Sequence, residues 1–172
     1  MCASHRPVES PAAEGPPAVE PGPPDGPPAT ALDHVGLSVR DLDAALSFYR
    51  DAFGLVEEFR FTVDGAGMTA VVLRSEDGWA VELLHRSDSV DPVVRYARPD
   101  EAVRNRGYGH LCVRVQDLET VFERLLAAGA TVIVPPGPAP HPAVRYSYMA
   151  DPEGNLLELV HFGAGADLAA PA

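Results

Sequence analysis

His34 and His110 stand 76 residues apart, and Glu82 and Glu158 are separated by the same interval. That offset also carries Val39 onto Val115, Asp41 onto Asp117, Leu42 onto Leu118, Gly78 onto Gly154, Leu83 onto Leu159 and His85 onto His161. Chance seldom keeps His and Glu together in one register at both ends of a repeat, so the chain reads as two half-domains of one design. Two imidazoles and two carboxylates form a donor set for a divalent transition metal, with ligand bonds of roughly 2.0–2.2 Å and room left for water or substrate. A lone His or Glu is more often an isolated polar residue at a strand edge. Four of them in repeat register point to metal.

The elements that must hold these residues also repeat. Leu32–Val39 alternates, with Val35, Leu37 and Val39 on one face and His34, Gly36 and Ser38 on the other, as in a half-buried strand. Asp41 is a good N-cap, and Leu42, Ala45, Leu46, Tyr49 and Phe53 mark one helical face up to a stop at Gly54. The second copy runs strand Tyr108–Val115, cap Asp117, face Leu118, Val121, Phe122 and Leu125, and stop Gly129. Three further strands follow each helix, near 57–63, 68–74 and 79–85, then near 131–134, 145–150 and 156–162, with Gly-bearing turns before the last of each set. The order is βαβββ twice. If the halves pack about a pseudo-twofold axis, the four metal-type side chains converge.

Composition bounds the rest. Of 172 residues, 46% are hydrophobic and 22% charged, enough apolar content for a sizeable core. Residues 1–30 hold nine of the 18 prolines and no aromatic, which predicts a disordered leader; residues 163–172 are expected to form a second disordered end. The folded domain is expected over 31–162, with modules at about 31–85 and 108–162 and a linker over 86–107. All 13 basic residues are Arg, against 25 acidic residues, and the formal charge of −12 argues against nucleic acid and anionic membranes as partners. The longest apolar run, Leu125–Val134, is broken by Gly129 and too short to span a bilayer. Cys2 and Cys112 make neither a disulfide framework nor a zinc-finger spacing, and the N-terminus lacks the apolar stretch of a secretory signal. A cytoplasmic protein is the expectation.

The segments LDHVGLSVRDLDAALSFYRDAFGL, GYGHLCVRVQDLETVFERLLAAGA and DPEGNLLEL resemble the vicinal oxygen chelate superfamily, also called glyoxalase/bleomycin resistance/dioxygenase proteins, from about Leu32 to His161. The resemblance implies an α+β fold in which two βαβββ modules pair into an open barrel-like cup around one divalent metal (Zn, Ni, Co, Mn or Fe). Glyoxalase I proteins place His, Glu, His and Glu at the four ligand positions, matched here by His34, Glu82, His110 and Glu158. Methylmalonyl-CoA epimerases typically carry Gln where Glu82 stands, extradiol dioxygenases use two His and one Glu, and bleomycin-binding proteins have lost the ligands.

The implied activity is a metal-dependent lyase or isomerase of glyoxalase I type. It would move a proton through a metal-bound enediolate on a small oxygen-chelating substrate, either a 2-oxoaldehyde hemithioacetal or a natural-product analogue. Glu158 is the favoured base, assisted by Glu82. A non-haem iron dioxygenase acting on catechol-like rings and an antibiotic-binding resistance protein are the alternatives. Tyr148 lies near the place of an extradiol acid/base tyrosine but is read first as a pocket residue. Cys112 and Arg114 share strand parity with His110 and are candidate substrate-binding residues. His85 and His161 have the parity opposite to Glu82 and Glu158 and are expected outside the metal shell. The five arginines of 86–107 either recognise a substrate anion or are balanced by Asp88, Asp91, Asp100 and Glu101. A homodimer is expected, with sites formed within or across chains; the glyoxalase-like ligand set leans towards across.

Overall fold

The computed structural model describes residues 30–91 and 96–163, so the expectations for the Pro-rich leader and for the tail from 164 on lie outside the described residues. Each module is a four-stranded mixed sheet. The first comprises β1 (His34–Val39), α1 (Leu42–Phe53), β2 (Val56–Val63), β3 (Met68–Arg74) and β4 (Ala80–Arg86). The second comprises β5 (Leu111–Arg114), α3 (Leu118–Ala127), β6 (Thr131–Pro138), β7 (Val144–Ala150) and β8 (Leu156–Phe162). A single turn of helix, α2 (Pro99–Ala102), lies between them. The strand orders are β1-β4-β3-β2 and β5-β8-β7-β6, with β1 parallel to β4 and β5 parallel to β8. The fold is α+β, the βαβββ plan occurs twice, and no closed barrel forms among the described residues.

Both helices begin where the sequence places a cap. The Asp41 carboxylate accepts from the Ala44 amide at 3.0 Å and Asp117 from the Thr120 amide at 2.9 Å, each satisfying one of the amides a helix start leaves unpaired. Gly54 ends α1 in the left-handed conformation, its amide bonded to the Arg50 carbonyl. The buried arc of α1 is wider than the expected face and takes in Phe48 and Ala52 as well as Ala45, Leu46 and Tyr49. The reason is that α1 packs against α3 in addition to its own sheet.

Two strands depart from their expected limits. The strand expected over Tyr108–Val115 is only Leu111–Arg114, its pairing with β8 beginning at Leu111; Tyr108 is left fully exposed and His110 just ahead of the strand. β6 instead runs on through Pro135 and Pro136 to Pro138, past the expected end near 134. It is an edge strand, and its pairing with β7 is irregular between Val132 and Gly137, so prolines there break no central ladder.

One hydrophobic core joins the modules. It holds Val39, Val71, Leu73, Val81 and Leu83 from the first sheet, Val113, Val115, Met149, Leu157 and Leu159 from the second, and the apolar sides of both helices. By strand register all ten of these sheet residues lie on the face opposite Glu82 or Glu158. The two carboxylates therefore look away from the shared core.

Candidate metal centre

Register fixes the neighbours of each carboxylate. Glu82 pairs with Gly36 on β1 and Val72 on β3; Glu158 pairs with Cys112 on β5 and Tyr148 on β7. In each half the histidine comes two residues before the residue paired with the carboxylate, which puts His and Glu on one face and diagonally adjacent. The His34 Nε2 to Glu82 Oε2 distance is 3.4 Å, and the His110 Nε2 to Glu158 Oε2 distance is 2.9 Å. Two atoms each about 2.1 Å from a single metal lie about 3.0 Å apart at a right angle and about 3.4 Å apart at the tetrahedral angle. Both pairs thus have the spacing of one edge of a coordination shell, and the nitrogen and oxygen donors fit a divalent transition metal.

The outer nitrogen of His34 is engaged as well. Its Nδ1 donates to Asp33 Oδ1 at 3.0 Å, which leaves the Nε2 lone pair towards Glu82. The His34 bond, followed by the Arg74 guanidinium, holds the Asp33 carboxyl below its ordinary range.

The two edges do not meet in one chain. Among the described residues, no three His, Cys, Asp or Glu side chains gather where a single ion could hold them. Sequence reasoning sets the two His and the two Glu at equivalent places and expects all four to converge. The pairing of each His with its own Glu comes from β1 lying beside β4 and β5 beside β8. Within one chain the four do not gather, because each pair lies on the side of its sheet remote from the common core.

The halves also differ around their carboxylates. A Cβ on Gly36 would stand 3.7 Å from Glu82 Oε2, and the other neighbour, Val72, is apolar. Glu158 instead faces a thiol and a phenol. Burial, then the Glu158 charge, pushes the Cys112 thiol up to about 12. The same two causes, in the same order, raise the Tyr148 phenol. The Tyr148 ring meets His110 edge-on at 5.3 Å between centroids and Tyr146 at 5.9 Å. Arg114 follows Cys112 on the same face of β5, its guanidinium 4.4 Å from the centre of the Phe162 ring. His85 and His161 lie on the core-side faces, where Nδ1 of each donates to a backbone carbonyl, that of Val39 at 3.3 Å and of Val115 at 3.2 Å. In the linker, Arg86 pairs with Asp88 and Arg98 with Asp100, so these two arginines are balanced locally by acids.

Sequence parity does not reveal the apolar wall beside the first pair. Phe59, Phe61 and Val63 pair with Val72, Ala70 and Met68, which puts them on the Glu82 face, and all three are exposed. The two phenyl rings stack with centroids 6.2 Å apart. A register slip between Glu57 and Phe59 hides their facing from simple counting along the strand.

Residues 31–159 match the family profile described as the Glyoxalase/Bleomycin resistance protein/Dioxygenase superfamily. The chain belongs to this superfamily. Among relatives of the superfamily, a 2-epi-5-epi-valiolone epimerase from Actinomyces sp. is 31% identical over 153 residues, covering 81% of this chain and 84% of its own length. A probable lactoylglutathione lyase from Synechocystis sp. is 25% identical over 145 residues, covering 79% of this chain and 98% of its own. Glyoxalase I from Zea mays superposes with a TM-score of 0.63 at 21% identity, over 77% of this chain; the match spans 44% of the maize chain, and the likeness concerns the fold. No helix among the described residues is long and apolar enough to cross a membrane.

Proposed function

We propose that the chain is a metal-dependent lyase or isomerase that shifts a proton between carbons, or returns it to the same carbon, beside a substrate carbonyl. The carrying observation is the pair of His–Glu edges at matching register in two like sheets, with 3.4 and 2.9 Å between donor atoms. The superfamily membership and relatives named as a lyase and an epimerase support the same class. A hemithioacetal of a 2-oxoaldehyde and a polyhydroxylated ketone both present the needed pair of adjacent oxygens.

Since the edges look away from the shared core, the complete shell is assigned to a homodimer. In it, His34 and Glu82 of one copy join His110 and Glu158 of a second, giving two sites per pair. The exposed Phe59, Phe61 and Val63 on the Glu82 face support this, because an apolar face of that kind is ordinarily covered. A divalent ion bound by these four would supply positive charge that stabilises negative charge developing on substrate oxygen. Glu158 takes the proton and gives it back, with Glu82 assisting from the opposite sheet. Tyr148, Cys112 and Arg114 contact the substrate.

The test combines metal analysis with subunit mixing. The wild-type dimer should bind about two divalent ions, and His110→Ala should strip or greatly weaken binding. After verified exchange between His34→Ala and His110→Ala chains, each mixed dimer should regain one complete shell and one active site. Unchanged metal content in His110→Ala would remove the proposed centre. Mixed dimers that recover neither metal nor turnover would overturn the cross-chain shell.

A further inference from the structure

We propose that the ligand of this site carries an anionic group, a carboxylate or a phosphate, and that the Arg114 guanidinium receives it. The inference rests on the reading of His110 and Glu158 as half of a metal centre, and it names the substrate chemistry of that same centre. Arg114 pairs with Val160 on β8 and Cys112 pairs with Glu158, so guanidinium and carboxylate share one face of the second sheet. Two residues along a strand are about 7 Å. A ligand chelated beside Glu158 therefore has room for a short spacer before its anion meets Arg114.

The ring beneath its guanidinium distinguishes Arg114. Arg50, Arg74, Arg86, Arg98 and Arg145 each lie against one or more carboxylates. Arg114 meets no carboxylate among the described residues and is exposed. Its recorded partner is the Phe162 ring, 4.4 Å below the guanidinium carbon. Stacking on an aromatic face holds the guanidinium plane in place and leaves its edge N–H donors unused, which is the arrangement that receives a planar carboxylate or a phosphate with two parallel hydrogen bonds.

The first half has nothing equivalent. The repeat offset sets Ser38 where Arg114 stands and Arg86, already paired with Asp88, where Phe162 stands. Recognition of the anion therefore comes from one side of the site. The overall charge of −12 does not oppose this, since charges beyond roughly 8 Å are largely screened at physiological salt and the nearest cation decides.

Calorimetric titration of the Zn²⁺-loaded protein with two chelators tests the assignment. Benzohydroxamate and 4-carboxybenzohydroxamate offer the same pair of vicinal oxygens and differ by one carboxylate. The wild type should bind the carboxylated probe about tenfold tighter or more. Arg114→Gln should remove that preference while its zinc content and its mass in solution stay as in wild type; Arg114→Lys should restore part of it. Equal affinities in the wild type, or a preference that survives in Arg114→Gln, would overturn the assignment and leave the metal centre standing. Should Arg114→Gln fail to fold, the wild-type comparison and the Lys variant decide. If neither probe binds, or if both bind equally well without zinc, the metal reading fails and the inference goes with it.

Discussion

The Tyr49 hydroxyl donates a 2.9 Å hydrogen bond to Asp151 Oδ2, joining α1 of the first module to the turn between β7 and β8 of the second inside the shared core. Tyr49 is 1% exposed and Asp151 4%. Burial, then the Asp151 charge, raises the Tyr49 phenol well above its ordinary range, so it stays protonated as a donor. Asp151 also accepts from the Glu153 and Asn155 amides and from Asn155 Nδ2, so one carboxylate both shapes the turn and ties the halves together.

Tyr49→Phe should lower stability by about 1.5–3 kcal/mol, as expected for a buried hydrogen bond to a charged group. Asp151→Ala should cost more, because it strands the phenol and the turn donors together. The repeat supplies a control: the position equivalent to Asp151 is Ser75, whose hydroxyl is buried with no hydrogen-bond partner among the described residues, and Leu125 stands in the place of Tyr49. Ser75→Ala should be neutral or stabilising. Urea unfolding of the four proteins checks the order, and a Tyr49→Phe protein as stable as wild type would show that the contact does not hold the halves.

Glu158→Gln keeps shape and some coordinating ability while removing the base. Turnover should fall about 10²–10⁴-fold, with metal content by plasma emission close to wild type. A variant that stays active would transfer the base role to Glu82.

Phe59→Ser combined with Phe61→Ser should weaken the dimer by about tenfold or more, because the apolar area covered at the interface is lost. Sedimentation velocity over a dilution series reads this directly. An unchanged dissociation constant would mean that a second copy does not cover this face.

Asp117 caps α3, and bonds from the Thr120 amide, then the Thr120 hydroxyl, hold its carboxyl below the ordinary range. A carboxyl lowered by folding stabilises the fold above its unfolded pKa, and that contribution is lost as pH falls through the lower, folded value. Asp117→Ala should therefore melt below wild type at pH 7, and the gap should close as the pH drops below about 4 towards 2. Asp117→Asn, which retains a capping oxygen, should show little deficit at pH 7.

Much of this architecture can be read along the chain because its signals are local. Asp41 and Asp117 announce helix starts, Gly54 a stop, and alternation around Leu37 and Leu159 shows which residues face inward. The four metal-type residues emerge because a 76-residue repeat sets His34 on His110 and Glu82 on Glu158. That each His neighbours its own Glu depends on the first strand pairing with the last, which the repeat does not announce. What stays hidden depends on packing between distant segments. The fit of α1 against α3 decides that the pairs diverge within a chain, and neither helix face says so alone. Phe59 escapes because one extra residue at the β2 slip resets the parity count. Phe162 beneath Arg114 escapes because the two meet across a strand pair 48 residues apart in sequence.

The prolines of β6 have a consequence for how molecules of this protein meet. A sheet edge is a template, and any extended chain that finds a free row of amides and carbonyls can extend the sheet without limit. Along the outermost strand of the second sheet, Pro135, Pro136 and Pro138 delete three donors from eight residues. Growth by strand addition is starved at that border.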